Sequence, residues 1–418
     1  MRKVLFVTTR LIYPVNDGRK VVLYNYCKGM AEQYNCEVRL FSLIEDEENK
    51  IKQPGFIKKV YYGNLPSKFE KAKNLIFKSI LLNKWPLQIS LYYSKKAKQQ
   101  LDRVIDEYSP DIVICDMART AEYLKDLDGL RYNKILDMDD ILSKRYKRQV
   151  KNGTLGVSAI GAYSKKIPNF INTIINNDNI MRFILNKEAS LLSKYEVTIS
   201  KYYKSIVFVS PIEAKEFNDI IGEDKCIDIT IGVDYDYFSE SVIEKKKEKH
   251  IVFLGNMYVA HNKDAVNSFI KNIFPLILKE IPDAKFRIVG RCPKEYKECM
   301  EQNLNIEVTG EVDDIRKYVQ ECTVAVAPLT YGSGIKTKIL ETMAMGVPVV
   351  TNDIGIEGID VKHNEQIIVA NNPKVFSGET ISLLINKDKN ADISVSARCI
   401  VFEKYTWENT LKNITKII

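Results

Sequence analysis

Short runs of apolar, β-branched residues alternate with longer amphipathic stretches along the whole chain. Ile251–Leu254 and Val347–Val350 are nearly unbroken apolar runs, as is typical of parallel strands covered on both faces. Alternation of such strands with helices predicts βαβ units and an α/β fold with a doubly wound parallel sheet in each half. The predicted strands are residues 3–8, 36–42, 57–62, 111–115, 133–138 and 206–209 in the first half, and 250–254, 284–289, 305–309, 323–327, 347–351 and 366–369 in the second.

The length of the chain and one charged run predict two domains. At 418 residues the chain exceeds what a single hydrophobic core usually holds. The run EKKKEK at 244–249 predicts a solvated linker, so the border is expected near 232–250. We predict an N-terminal Rossmann-like domain over 1–232 and a C-terminal Rossmann-like domain over 233–405. A C-terminal helix over 406–418, capped by Thr406, is expected to pack back on the N-terminal domain.

Composition narrows the class of protein. An apolar fraction of 45% and a mean hydropathy of −0.20 describe a globular chain, and no apolar run reaches the length of a spanning helix. The eight cysteines include no CxxC pair, which favours reduced thiols in the cytoplasm over a disulfide framework or a zinc site. The apolar run near the first residue is short for a signal peptide and predicts a strand.

The net charge of +8 is concentrated in the first half. Residues 51–100 hold 11 lysines and one acid, Glu70, interleaved with apolar clusters such as Leu75–Phe77 and Ile80–Leu82. This mixture suits an anionic membrane surface. It equally suits a pair of core-packing helices with a solvated lysine face, and the sequence leaves both open. Nucleic acid is not expected as a partner, since no nucleic-acid motif accompanies the charge.

The stretch 328–359 carries the clearest chemical signal. Its glycine-containing turn at 332–334 is followed by a predicted helix, whose free N–H groups and dipole favour an anion. Lys336 and Lys338 stand at the same end, where cations oppose the dipole and helix stability alone would not select them. A bound diphosphate would explain them. No GxGxxG follows the first strand, so a dinucleotide cofactor is not indicated.

Six segments, in order, resemble the nucleotide-sugar glycosyltransferases of GT-B architecture, and within them the retaining family 4. They are PVNDG (14–18), IGVDYDYF (231–238), FLGNMYVAHNKDAVNSF (253–269), IPDAKFRIVG (281–290), VTGEVDDIRKYV (308–319) and APLTYGSGIKTKILETMAMGVPVV (327–350). The resemblance implies two Rossmann-like domains facing a cleft. It also implies transfer of a sugar from an NDP-sugar to a glycan or lipid-linked acceptor with retention, in surface polysaccharide synthesis. No cofactor and no metal are expected.

The resemblance also implies where the donor binds. Glu341 matches the second glutamate of the family's E-x7-E pair, which hydrogen-bonds ribose hydroxyls, and Ser333 stands where the first would be. The base is expected against the loop at 310–312. The expected donor-binding residues are Gly18, Gly255, Asn256, Gly310, Val312, Tyr331, Gly332, Ser333, Gly334, Ile335, Lys338 and Glu341.

Catalytic residues follow less directly, because the family's N-domain histidine is absent. The three histidines all lie in the second half. The candidates are Asp116 as proton acceptor or acceptor-positioning group, Lys336 as the cation at the leaving diphosphate, and Arg19 near the phosphates or the acceptor. Asp139, Asp140 and Arg119 are assigned to the acceptor side.

Two other functions remain open. One is a non-catalytic paralogue that binds nucleotide or glycan and supports a partner enzyme. The other is a GT-B UDP-sugar 2-epimerase. The expected location is the cytoplasm, with peripheral association at the inner face of the membrane if the lysine-rich region binds lipid.

Overall fold

The chain folds into two compact units. The computed structural model describes residues 1–15, 17–44, 52–151, 178–243, 247–332 and 334–418. Unit 1 contains Met1–Val150, Asn179–Thr230 and Thr410–Ile418, and unit 2 is centred on Ile231–Asn409. The chain therefore changes unit between Thr230 and Ile231. Residues 244–246 of the predicted linker lie outside the described residues.

Unit 1 is built on a seven-stranded sheet with the order β3-β2-β1-β4-β5-β6-β7. Its strands are β1 (Lys3–Thr8), β2 (Glu37–Ile44), β3 (Ile57–Asn64), β4 (Ile112–Asp116), β5 (Asn133–Asp139), β6 (Ser205–Phe208) and β7 (Cys226–Asp228). All neighbouring strands are parallel. The six predicted strands are confirmed, and the three-residue edge strand β7 was missed.

The helices of unit 1 connect these strands. They are α1 (Gly18–Glu32), α2 (Lys68–Asn74), a π-helix (Leu75–Leu81), α3 (Leu87–Tyr92), α4 (Lys95–Tyr108), α5 (Met117–Thr120), a 3-10 turn (Ala121–Tyr123), α6 (Leu142–Lys151), α7 (Asp178–Ser200) and α8 (Pro211–Ile221). Asp17 caps α1 by accepting a hydrogen bond from the Lys20 N–H at 3.0 Å. Strand order reverses between β1 and β4, so the ends of these two strands border the crevice where open α/β sheets bind ligands.

Unit 2 is built on a six-stranded sheet with the order β10-β9-β8-β11-β12-β13. Its strands are β8 (His250–Leu254), β9 (Lys285–Val289), β10 (Ile306–Gly310), β11 (Val324–Ala327), β12 (Val349–Thr351) and β13 (Ile368–Val369). All pairs are parallel, which confirms the six strands predicted here. The order reverses between β8 and β11, so the corresponding crevice of this unit lies at their carboxyl ends.

The helices of unit 2 complete its βαβ repeats. They are α9 (Tyr235–Ser239), α10 (Ala260–Asn272), α11 (Phe274–Glu280), α12 (Lys294–Met300), α13 (Ile315–Val319), α14 (Thr337–Ala344), α15 (Pro373–Ile385) and α16 (Lys387–Lys404). Each unit has its own apolar core, and the central strands β4 and β11 are buried along their whole length. This burial explains why β11 is apolar throughout and why β4 is apolar up to its last residue, Asp116.

The last residues form α17 (Trp407–Leu411) and a 3-10 turn (Lys412–Lys416). Thr406 caps α17 through a 3.2 Å bond from the Asn409 N–H to its hydroxyl oxygen. Leu411 then packs against Gly29 of α1 and accepts a hydrogen bond from the Tyr34 hydroxyl at 3.0 Å through its carbonyl. No helix among the described residues is long and apolar enough to cross a bilayer.

Candidate functional site

Three glycines close the carboxyl edge of the unit 2 sheet. Gly255 directly follows β8, Gly290 directly follows β9, and Gly310 is the last residue of β10. Gly290 has φ of +129°, and a Cβ at this position would lie 2.4 Å from the Gly255 carbonyl oxygen. The Gly290 N–H donates to the Gly310 carbonyl at 3.2 Å. The strand ends therefore meet backbone to backbone, which a side chain at Gly290 would prevent.

A glycine turn leads from β11 into α14 at the same edge. Gly332 has φ of +148° and Gly334 φ of +68°, conformations that residues with a side chain rarely adopt. Ile335 anchors the turn in the core at 7% exposure, while Ser333 falls outside the described residues. No side chain at the N-cap position bonds the first turn of α14, so its N–H groups resemble the anion sites of other helix starts.

Lys336 folds back over this turn. Its ammonium donates to the Gly334 carbonyl at 2.5 Å, and the residue is 8% exposed. A Cβ added to Gly332 would approach the Lys336 Cε to 3.2 Å. The glycine thus leaves room for the lysine stem, and the positive charge stays within the turn rather than extending into solvent.

Lys338 is held by neutral groups. Its ammonium donates to the Asn262 Oδ1 at 2.6 Å and stands 4.4 Å from the centre of the Phe253 ring. The Asn262 amide in turn donates to the Asn256 carbonyl at 3.0 Å. Burial, and next the charge of Lys336, lower the pKa of Lys338 to about 7. No carboxylate of the described residues lies within ion-pair distance of this ammonium, so an anionic ligand would stabilise its charged form.

Glu341 lies one turn further along α14 and is half-buried. Burial raises its pKa to about 7, and the charge of Lys338 opposes that rise. Among the described residues, no donor lies within hydrogen-bonding distance of its carboxylate. A carboxylate that is partly removed from water and lacks protein donors can accept bonds from ligand hydroxyls.

The remaining predicted donor residues of unit 2 lie in the loops that follow β10 and β11. Tyr331 is 6% exposed and donates its hydroxyl to the Asp264 carboxylate at 2.9 Å, so it packs against α10. Val312 is half-buried in the loop after β10. Asp314 caps α13, accepting from the Arg316 N–H at 2.9 Å. Gly18, the remaining member of the predicted donor set, belongs to unit 1 and starts α1.

Unit 1 gathers three aspartates around the Arg19 guanidinium. Its Nε donates to Asp116 Oδ1 at 2.9 Å and its Nη1 donates to Asp139 Oδ1 at 3.1 Å. Its Nη2 lies within ion-pair distance of two carboxylates, 2.8 Å from Asp116 Oδ1 and 2.7 Å from Asp137 Oδ2. These residues come from the ends of β4 and β5 and the start of α1. We call Arg19, Asp116, Asp137 and Asp139 the arginine–aspartate cluster.

The arginine–aspartate cluster has one cation for three carboxyl groups. Asp116 is 0% and Asp137 1% exposed, whereas 25% of the Asp139 side chain reaches solvent. Burial raises the pKa of Asp137 to about 6, with Arg19 opposing. Asp139 has φ of +67°, a strained conformation for a residue with a side chain, and such strain concentrates at functional positions. Asp139 is therefore the member of the cluster that a ligand can reach.

The structure changes the expected roles of several predicted residues. Arg19 and Asp116 are buried and bonded to each other, so in this conformation neither offers a free surface to phosphate or acceptor. Arg119 is 8% exposed and donates to the Gln88 side chain at 3.2 Å. Asp140 is 4% exposed and pairs with Arg145 at 3.0 Å. These four buried side chains therefore hold their neighbours in position and do not themselves present a surface to a ligand.

Sequence reasoning did not select three residues that shape these sites. They are Asp137 in the arginine–aspartate cluster of unit 1, and Asn262 and Gly290 at the carboxyl edge of the unit 2 sheet. Asp137 stands two residues before Asp139 in the run DMDD at 137–140, but its burial beside Arg19 could not be inferred from spacing. A glycine directly after an apolar strand signalled Gly290. No signal singled out Asn262. The described residues contain no group of three or more His, Cys, Asp or Glu side chains that could hold a metal ion.

Comparison with known proteins relates part of unit 2 to a family of glycosyl transferases. Residues 248–386 match the family described as glycosyl transferases group 1. A Klebsiella pneumoniae protein, described as an uncharacterized 44.6 kDa protein in the cps region, is 22% identical over 427 residues and the match covers 100% of both chains.

Solved structures share the fold over the whole chain. Anabaena HepE in complex with UDP and glucose superposes with a TM-score of 0.65 at 12% identity, covering 100% of this chain and 99% of that one. A mutant of S. aureus TarM, in complex with fondaparinux, α-GlcNAc-glycerol and UDP, gives 0.66 at 13% identity, with coverage of 100% and 99%. The two parallel-sheet units thus match the GT-B glycosyltransferase fold.

Proposed function

Because residues 248–386 match the group 1 glycosyl transferase family and the chain has the GT-B fold, we propose that it transfers a sugar from an NDP-sugar to a glycan or lipid-linked acceptor with retention. The observation that carries the proposal is the edge of unit 2, where the turn at Lys336 and the carboxylate of Glu341 flank one helix start. The relative from a cps region supports a place in surface polysaccharide synthesis.

The diphosphate of the donor is proposed to bind at the start of α14. The backbone N–H groups there, Lys336 and Lys338 supply positive charge, and the hydrogen-bond partner of Lys338 is the neutral amide of Asn262. We choose UDP as the first nucleotide to test, since HepE and TarM were solved with it. Its ribose hydroxyls would donate to Glu341, whose carboxylate accepts from two adjacent O–H groups at once.

The proposed reaction needs no cofactor. The acceptor oxygen forms a bond to the anomeric carbon while the bond from that carbon to the diphosphate oxygen breaks. The electron pair leaves with the diphosphate, and the acceptor hydroxyl gives its proton to the departing phosphate oxygen. Lys336 would act most strongly as negative charge grows on that oxygen, which lowers the barrier rather than tightening ground-state binding.

The acceptor is proposed to bind at unit 1 through Asp139. This carboxylate is the solvent-reaching member of the arginine–aspartate cluster, and Asp116, Asp137 and Arg19 fix its position from beneath. In this proposal Arg19 and Asp116 are positioning residues, because they are buried and bonded to each other. The enzyme would work in the cytoplasm, at the inner face of the membrane when the acceptor is lipid-linked.

A donor panel tests the proposed function. The purified chain is incubated with UDP-, GDP- and dTDP-sugars, and nucleotide release and sugar identity are followed by chromatography. We expect slow release of nucleoside diphosphate from one donor, accelerated by the acceptor. Formation of an isomeric sugar nucleotide without release would identify an epimerase. Tight nucleotide binding with neither product would identify a non-catalytic binding protein, and either result would overturn the proposal.

A further inference from the structure

The segment from Lys68 to Lys84 has its polarity reversed relative to an ordinary surface helix. Ser79 is 0% exposed and shares a 2.8 Å hydrogen bond with the Ser90 hydroxyl. The Asn74 amide also points inward, donating to the Tyr93 carbonyl at 3.0 Å. Polar side chains therefore attach this segment to α3, the opposite of the usual arrangement in which apolar side chains do so.

The outward side of the segment is apolar. Six large side chains lie in solvent: Phe69 (79% exposed), Ile76 (49%), Phe77 (52%), Ile80 (54%), Leu81 (63%) and Leu82 (62%). They belong to α2, the π-helix and the residue after it. The packing alternative describes Trp85 and Tyr92, which are 7% and 8% exposed, whereas these six side chains are 49–79% exposed. Clustered exposed apolar side chains mark an interaction surface.

The segment that carries this apolar face is rich in lysine and nearly lacks acidic residues. Residues 68–84 contain five lysines and the single acid Glu70, whose carboxylate accepts from the Lys95 N–H at 2.7 Å and so caps α4. Lys78 extends over the ring of Trp85 at 5.3 Å. A second copy of the chain would bring two such lysine-rich faces together, and like charges repel. The charge therefore favours an anionic partner.

A cavity of about 190 Å³ adjoins the end of the segment and continues its charge. Its lining includes the lysines Lys84, Lys125 and Lys194, together with Trp85 and the acidic residue Glu122. Lysines beside an apolar face match the depth profile of a bilayer, where phosphates lie directly above the acyl chains.

We propose that residues 68–84 form a docking surface for an anionic phospholipid bilayer, with Ile76, Phe77, Ile80, Leu81 and Leu82 at the acyl boundary and the lysines at the phosphates. This inference extends the lipid-linked form of the proposed function, but it stands on contacts outside the donor site. It places the acceptor unit on the surface where lipid-linked glycans are found.

Flotation with vesicles tests the proposal. The chain should float with vesicles containing about a third phosphatidylglycerol and should not float with pure phosphatidylcholine. The triple change Phe77→Ser, Leu81→Ser and Leu82→Ser should reduce the bound fraction at least tenfold, since each removes exposed apolar area from the contact. Its matched control is Leu304→Ser with Val395→Ser, two side chains of unit 2 that are 90% and 63% exposed and should leave flotation unchanged.

Charge is tested separately. Lys68, Lys73 and Lys84 changed together to Gln should weaken binding by roughly fivefold per lysine, because each contributes about 1 kcal/mol near an anionic surface. The control changes Lys294, Lys362 and Lys387, whose side chains are 86%, 75% and 85% exposed, and should have no effect.

Three outcomes would overturn the proposal. They are flotation unaffected by either variant, equal flotation with neutral vesicles, and no flotation with the anionic vesicles. In the last case, a dimer in analytical ultracentrifugation that the serine variant abolishes would identify a second copy of the chain as the occupant. Nucleotide release from the donor with a water-soluble acceptor is measured in parallel. If vesicles bind but no donor turns over, the docking surface stands and the proposed function falls.

Discussion

Replacing Glu341 with Gln should change the free energy of unfolding and the affinity for UDP in opposite directions. The folded chain holds the pKa of this carboxyl at about 7, against an ordinary value of 4.5. A folded-state pKa above the unfolded one means that the folded chain binds more protons in this window, so stability falls as pH rises from 4.5 to 7. Keeping Glu341 ionised above about pH 7 therefore costs about 3 kcal/mol.

The Gln variant removes that cost but keeps the shape. We expect its free energy of unfolding above about pH 7 to exceed that of the native chain by about 1–3 kcal/mol, with the gain shrinking toward about pH 4.5. Its affinity for UDP should fall by about 2 kcal/mol, or about 30-fold in Kd, because hydrogen bonds to a charged acceptor are stronger than bonds to an amide. A variant that is more stable yet binds less tightly is the signature of a residue retained for its ligand.

Calorimetric titration with UDP and urea unfolding at several pH values measure both effects. Glu298→Gln is the control, since that side chain is 64% exposed and should change neither quantity. A nucleotide lacking the ribose 2′-hydroxyl should lose less affinity than UDP on substitution. The reasoning is refuted if the Gln variant binds UDP as tightly as the native chain, or if both nucleotides lose affinity by the same factor.

Three further substitutions test the carboxyl edge of the unit 2 sheet and the arginine–aspartate cluster of unit 1. Gly290→Ala should lower the free energy of unfolding, measured in urea, by about 3 kcal/mol or more, because its Cβ would overlap a neighbouring carbonyl. Its control is Gly378→Ala, at an open position in a helix, which should raise the free energy of unfolding by about 0.5–1 kcal/mol. Arg19→Gln should destabilise by about 3–5 kcal/mol at neutral pH and by less below about pH 6, where Asp137 becomes protonated. Lys28→Gln on the same helix is its control, and equal effects of the two would contradict the buried cluster. Lys336→Ala should lower kcat by about 10²–10³ while the Kd for UDP changes less than about tenfold, and steady-state kinetics with equal losses in both would remove it from the chemistry.

The strands could be predicted because burial on both faces leaves a direct trace in the sequence. Runs such as Ile251–Leu254 are apolar at every position, and a parallel sheet is the usual reason. The edge strand Cys226–Asp228 has three half-buried residues and leaves no such trace. The turn before α14 could also be predicted, because glycines directly before a helical pattern mark a turn. The anion that Lys336 and Lys338 suggest at this helix start stays a prediction.

The arginine–aspartate cluster shows where sequence reasoning stops. Arg19, Asp116 and Asp139 were each selected as candidates, but Arg19 is 97 positions from Asp116 and 120 from Asp139, and nothing local shows that they meet. Which of them reaches solvent depends on packing around Asp137, which was not selected. Exposure, and with it the distinction between a residue that touches a ligand and one that supports it, is set by the tertiary fold.

The chain returns to unit 1 over Thr410–Ile418, and this has a consequence for how the protein is made. Leu411, Ile414 and Ile417 are at most 3% exposed, so the first-synthesised unit lacks part of its interior until these residues have been translated. On the ribosome, the uninterrupted segment Ile231–Asn409 can complete its folding before the unit that precedes it. In topological terms unit 2 is an insertion into unit 1, and loss of Thr410–Ile418 would damage the unit whose synthesis began first.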